Sequence, residues 1–274
     1  MSILVAPYHL DEHLPELDLL LPPGTAAETV VPDLPAGDAW RRLGDLYDAV
    51  ARAVDRDARA GAAPTVVSGD CMVSLGVLAG LQRAGLDPAV VWFDAHGDVQ
   101  TLETTTSGYL GGIPLRIMTG YRPDLISERL GLRAVDEDRV LLVDARDLDP
   151  PEVDYLSSAP IRRSSVAALA APDLASPDLT TPDVASPAAR GGDMLPDGPL
   201  FLHVDLDVAD PAELPPLRYP AVGGPSLTTV VAAIRRVLSS GRVVGYDIGC
   251  TWLPGHEVSS TSRALLLSTI VDPV

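Results

Sequence analysis

The chain has 274 residues, two cysteines, a formal net charge of −18 and an isoelectric point near 4.4, a balance that argues against nucleic-acid partners, because phosphate binding needs concentrated positive charge. All twenty basic residues are arginine, which removes Schiff-base, pyridoxal-phosphate and P-loop chemistries that need a lysine amine. The length suits one large α/β domain, and no run of 18 apolar residues suggests a membrane span.

The first residues, from Met1 to Tyr8, lack a basic leader and predict a strand over 2–7 rather than a signal peptide. With only Cys71 and Cys250, in no disulfide-framework pattern, the expected compartment is the reducing cytoplasm. A helix is expected over 39–60 with Asp38 as its cap, then a strand over 65–68, the turn Ser68-Gly69-Asp70-Cys71, and a helix over 72–84. The strand over 89–93 runs straight into Asp94-Ala95-His96-Gly97-Asp98. Residues i, i+2 and i+4 of an extended chain share a side, so Asp94, His96 and Asp98 are expected to converge.

Farther on, Thr104-Thr105-Thr106-Ser107-Gly108 precedes Tyr109-Leu110-Gly111-Gly112-Ile113-Pro114. A strand over 140–144 leads into Arg146-Asp147-Leu148-Asp149-Pro150. Three imperfect pentads beginning at Pro172, Pro177 and Pro182 forbid a regular helix, and residues 170–199 are expected to form an acidic surface loop. The strand over 200–205 ends in Asp205-Leu206-Asp207. Ser226 caps a helix over 226–239 that carries Val230, Val231, Ile234 and Val237 at helical spacing, and a last strand over 242–247 leads to Cys250. Strands alternating with helices predict a three-layer α/β/α domain with a mostly parallel sheet, whose sites sit at the strand C-terminal ends.

The two matched sets, Asp94/His96/Asp98 and Asp205/Asp207, describe a two-metal site. Oxygen donors with one imidazole suit Mn, Mg or Fe(II), and paired divalent ions acidify water near neutral pH. His203 is read as alternating away from Asp205, into the core or behind the site. His9, His13 and His256 are expected at the surface. Glu257 is an acid that a folded-back loop could bring toward Cys250.

The segments Ser68-Gly69-Asp70-Cys71, Asp94-Ala95-His96-Gly97-Asp98, Asp205-Leu206-Asp207 and Arg146-Asp147-Leu148-Asp149-Pro150 together resemble the signatures of the arginase (ureohydrolase) family, in the family's order. The resemblance implies two Mn2+ ions, one held by Cys71, Asp94, Asp98 and Asp205 and the other by Asp94, His96, Asp205 and Asp207. It also implies hydrolysis by a hydroxide bridging the ions, with Asp98 as the catalytic proton acceptor. Gln100, Ser107, Tyr109, Asp149 and Cys250 fall at substrate-binding positions.

Three departures from the family pattern set the expected substrate. Cys71 replaces a metal-binding His and adds a negative charge to the site. Gly111 stands where the family has its catalytic His, and glycine cannot move a proton. Cys250 stands where a Glu would pair with the guanidinium, which a strongly basic guanidine needs. The three changes suit an N-hydroxyguanidine, and the resemblance points to the branch of the family that cleaves Nω-hydroxy-L-arginine to hydroxyurea and L-ornithine in D-cycloserine (antibiotic) biosynthesis. An ordinary arginase, agmatinase or guanidino-acid hydrolase, or a non-catalytic metal-binding relative, are the alternatives. The expected partner is a small amino-acid substrate, with no nucleic acid or membrane, and the chain is expected to be a monomer.

Overall fold

The computed structural model describes residues 2–22, 24–171 and 194–270. Most of the acidic loop expected over 170–199, namely 172–193, lies outside the described residues. The described strands are β1 (Ser2–Ala6), β2 (Tyr8–His9), β3 (Glu12–His13), β4 (Glu28–Thr29), β5 (Pro64–Ser68), β6 (Ala89–Asp94), β7 (Val140–Asp144), β8 (Arg162–Ser164), β9 (Leu200–Asp205) and β10 (Val243–Gly249). The helices are α1 (Ala39–Arg59), α2 (Ser74–Arg83), α3 (Pro114–Met118), α4 (Ser127–Leu130), α5 (Pro150–Ser158), α6 (Val166–Ala170), α7 (Leu227–Leu238) and α8 (Ser260–Ile270).

Eight strands form one sheet in the order β4-β1-β5-β10-β9-β6-β7-β8, and β2 pairs with β3 in a separate hairpin. Every pairing in the eight-stranded sheet is parallel, as expected where helices cover both faces. One face packs on α1 and α2 through Leu43, Leu46, Tyr47, Val50, Leu75 and Leu78. The other packs on α6, α7 and α8 through Leu169, Val230, Ile234, Val237 and Leu266. Each fully buried Leu or Val of these layers contributes roughly 1.5–3 kcal/mol. Helices α1 and α7 begin where the sequence predicts: the Asp38 carboxylate accepts from the Arg41 amide at 3.0 Å and Ser226 Oγ accepts from Thr229 at 3.3 Å, whereas α2, expected from residue 72, begins at Ser74 after the Cys71–Val73 turn.

At one position the helix pair depends on a missing side chain. A Cβ on Gly76 of α2 would sit 2.7 Å from the Tyr47 carbonyl oxygen of α1, so any larger residue would push the two backbones apart. The edge strands β4 and β8 have two and three residues, too short to leave a periodic trace, and the sequence reading does not foresee them. No described helix is long and apolar enough to cross a membrane.

Candidate metal centre

All strands of the large sheet run the same way, so β5, β9 and β6 deliver their C-terminal ends to one edge. Beyond β5 the Asp70 carboxylate accepts from Met72 N–H at 2.7 Å and starts a single turn, Cys71–Val73. That turn points Cys71 into the site. Its Sγ donates to Asp205 Oδ2 at 2.8 Å and lies 3.9 Å from Asp94 Oδ2. From β6, Asp94 Oδ1 accepts from the His96 amide at 2.7 Å, folding the chain so that His96 Nδ1 lies 3.4 Å from Asp94 Oδ1 and 3.0 Å from Asp207 Oδ2. Asp205 Oδ1 accepts from Asp207 N–H at 2.8 Å, and Asp207 Oδ1 accepts from Ala95 N–H at 3.1 Å. Asp98 takes a left-handed backbone at φ 54°, which turns its carboxylate back over the site, and its Oδ2 is buried without a hydrogen-bond partner.

The donor set fits divalent cations. Ligand atoms of Cys71, Asp94 and His203 lie within 4.8 Å of one another, and so do those of Asp94, His96 and Asp207. Asp94 belongs to both groups, which is the arrangement a bridging carboxylate requires. The electrostatics point the same way. Burial, then the charge of Asp94, pushes Asp98 well above the ordinary carboxylate range. Burial, then Asp207, lifts Asp205 to about 7, and burial, then Asp94, lifts Asp207 to about 6. Burial and the charges of Asp205, Asp98 and Asp94 push the Cys71 thiol up. For His96 burial lowers the value, but the hydrogen bonds and charges of Asp207 and Asp94 outweigh it and raise it to about 12. Packed carboxylates that resist ionisation need positive charge among them.

Behind these groups lies a buried support. The Trp92 indole N–H donates to Asp94 Oδ2 at 3.2 Å, and its ring stacks on His203 at 3.6 Å between centroids. His203 Nδ1 lies 3.0 Å from Asp247 Oδ1. This corrects the expected facing of His203. It stands two residues before Asp205, so alternation puts it on the same side as the ligands, and its Nε2 is buried without a partner. Arg146 fastens the neighbouring loops, donating to the carbonyls of Asp207, Val208, Ala221 and Val222 at 3.0–3.1 Å.

The pocket above the ligands is lined by Cys71, His96, Asp98, Asp205 and Asp207 on its floor and by Gln100, Ser107, Tyr109, Gly111 and Asp149 on its walls. Gln100 Nε2 donates to Asp149 Oδ2 at 2.8 Å, while its Oε1 accepts from Thr104 Oγ1 at 2.7 Å. Ser107 sits at the exposed rim. Glu152 accepts from the Val99 and Asp149 amides at 3.2 and 3.1 Å, locking the loop after β6 onto the start of α5.

Cys250 is a second correction. It is fully buried in the apolar layer with Trp252 and Val258 and does not line the pocket. Along β10 and its extension, Asp247, Gly249 and Thr251 face the site and Cys250 alternates away. Thr251, which the sequence reading missed, takes the place, donating to Asp205 Oδ1 at 2.7 Å. His13, His256 and Glu257 are exposed, and Glu257 does not line the pocket. His9 differs from the expected surface position: it is buried, with Nδ1 3.2 Å from the Gly69 carbonyl oxygen. Tyr219 also joins the pocket wall.

Comparison with known proteins agrees with this architecture. The model described as "Arginase family" matches residues 25–266. Arginase from Eremothecium gossypii is 26% identical over 208 residues, covering 75% of this chain and 50% of that protein. A protein of Streptomyces lavendulae named N(omega)-hydroxy-L-arginine amidinohydrolase is also 26% identical over 208 residues, covering 76% of this chain and 67% of its own length. The arginase structure from Bacillus caldovelox superposes with a TM-score of 0.73 at 21% identity, over 97% of this chain and 96% of that one. The match therefore spans about half the length of the Eremothecium relative, while the fold is shared nearly end to end.

Proposed function

Since the chain belongs to the arginase family, we propose that it is a two-metal amidinohydrolase acting on Nω-hydroxy-L-arginine and releasing hydroxyurea and L-ornithine. The observation that carries this reading is the wall facing the metal ligands. At position 111 it offers glycine, at position 250 a thiol turned into the core, and His96 is the one imidazole among its lining residues. Such a wall lacks an imidazole at 111 and a carboxylate at 250, the two groups that suit a strongly basic guanidine. A hydroxyguanidine is less basic and has less need of either.

The residues present would hold two ions through Cys71, Asp94, Asp98, Asp205, Asp207 and His96, and the oxygen-rich set with one imidazole favours Mn2+. Bound there, the ions would polarise the guanidine carbon and acidify water. The rest falls to the chain. Thr251 and the Asp207 amide fix the Asp205 carboxylate, and Trp92 fixes Asp94. Asp98, its Oδ2 uncommitted, takes the proton of the attacking water and passes it toward the leaving nitrogen. Gln100 and Asp149, tied together in the wall, meet the amino-acid head, and Ser107 closes the rim.

Relatives named arginase match at 24–29% identity and the Streptomyces amidinohydrolase at 26%, so the choice rests on the pocket and is decided by turnover. The manganese-loaded protein is expected to cleave Nω-hydroxy-L-arginine with a kcat/KM well above those for L-arginine and agmatine, followed as ornithine with hydroxyurea or urea. Equal or better turnover of L-arginine would replace this reading with an arginase. No turnover of any of the three would leave a non-catalytic metal-binding relative.

A further inference from the structure

Position 111 is empty of a side chain but not of atoms. A Cβ built on Gly111 would lie 2.3 Å from Tyr109 Cε1 and Cζ and 2.4 Å from its hydroxyl oxygen. The Tyr109 ring therefore occupies the space that a residue at 111 would need. It is held there from both sides, stacked on His9 with centroids 5.7 Å apart and planes 14° apart, and packed on Tyr219 at 4.5 Å. Its hydroxyl lies 3.5 Å from His9 Nε2.

The hydrogen bonds around His9 fix which way this hydroxyl points. His9 Nδ1 faces the carbonyl oxygen of Gly69 at 3.2 Å, and a carbonyl can only accept. In the neutral ring Nδ1 then carries the hydrogen and Nε2 is an acceptor. With that tautomer the Tyr109 O–H donates to Nε2 and the lone pairs of the phenol oxygen are left for the pocket.

We propose that Tyr109 is the specificity-determining residue at the reacting end of the pocket, its oxygen accepting a hydrogen bond from the N–OH of a hydroxyguanidine. L-Arginine has no hydroxyl to donate. A site built to pair with a substrate hydroxyl discriminates against an analogue that lacks it. Gly111 is then one half of an exchange: the histidine position is emptied because the tyrosine two residues earlier fills it. This inference rests on the substrate reading given above.

The test is the ratio of kcat/KM for Nω-hydroxy-L-arginine to that for L-arginine, measured on the manganese-loaded protein and on Tyr109→Phe and His9→Phe, with melting temperature and metal content checked for each. If the unaltered protein shows no preference for the hydroxylated substrate, the substrate reading falls and takes this inference with it. If it does show the preference, Tyr109→Phe is expected to lower the ratio about tenfold or more. His9→Phe, which keeps the stack but removes the acceptor for the phenol hydrogen, is expected to lower it in the same direction. A Tyr109→Phe ratio within threefold of the original would overturn the role of Tyr109 and leave the substrate reading standing. Gly111→Ala asks the same question should Tyr109→Phe not fold, because its methyl group displaces the ring; a retained preference there would also overturn the proposal.

Discussion

The ends of β5, β6 and β9 face the loop over residues 99–113 across one pocket, and the two sides are built differently. On the floor, Asp94, Asp98, Asp205 and Asp207 are buried to within a few per cent of full enclosure. Their positions are set by strand termini, by backbone amides that donate to Asp94, Asp205 and Asp207, and by the left-handed backbone of Asp98. Across from them, Ser107 is exposed, Tyr109 half-buried, and the chain runs through turns with side-chain hydrogen bonds among Thr101, Thr104 and Gln100. A rigid floor keeps the chemistry and a loop wall is free to change its choice of substrate, which is the usual division of labour between scaffold and loops. On the floor the departure from the family pattern is Cys71, on the wall it is Gly111.

If the division holds, damage to the floor should remove metal and turnover together, and damage to the wall should alter substrate choice. The largest effect is expected for Asp205→Asn, whose side chain binds Cys71, Thr251 and the Asp207 amide. It should lower turnover on the order of 10³-fold and cut the bound metal measured by elemental analysis. Two retained ions would break the assignment. Cys71→Ser should weaken metal binding by roughly 10- to 100-fold, in the range seen when a group that tunes a metal site is lost. In the cobalt-substituted protein it should abolish the thiolate-to-metal charge-transfer absorption, and persistence of that band would remove Cys71 from the ligands.

On the wall, Asp149→Asn should raise KM for amino-acid substrates about tenfold, a loss of roughly 1.4 kcal/mol, and leave the desamino analogue of the substrate, which has no α-ammonium for a carboxylate to pair with, nearly unaffected. A uniform loss across all substrates would place Asp149 with the floor instead.

The smallest effect is thermodynamic. In the metal-free protein Asp205 is raised to about 7 and Asp207 to about 6 from 3.8. A raised folded-state value favours the protonated acid, so the associated stability is full below about pH 4 and lost as the pH rises through 6 to 7. Bound cations reverse that preference. The gap in melting temperature between metal-loaded and metal-free protein should therefore widen from pH 5 to pH 8, by at least about 5 °C. A gap that does not change with pH would mean these carboxylates are not the groups that meet the metal.

Most of the floor could be read in the sequence because its signal is local. Asp94, His96 and Asp98 follow one strand, Asp205 and Asp207 another, and a period of two residues states their shared side directly. The central strands and α1, α2 and α7 were legible for the same reason: long runs of buried Val and Leu, or apolar residues at helical spacing behind a capping Asp or Ser. The wall was less legible. Tyr109 meets His9 across 100 positions of chain, and no local pattern announces such a pair. Cys250 and Thr251 are neighbours whose facing depends on where β10 ends, at Gly249 rather than the expected 247. His203 was open to correct reading, since its two-residue spacing from Asp205 puts it on the ligand side.

The order of strands has a consequence for synthesis. Cys71 leaves β5 and Asp205 leaves β9, and between these strands lies β10, residues Val243–Gly249. A chain still emerging from the ribosome with every metal ligand already made cannot bring Cys71 and Asp205 together until that late strand slides in between. Filling the Cys71 side of the centre must therefore wait for β10, and shortened chains that stop before Val243 would carry every ligand yet lack the strand that seats Cys71 beside Asp205.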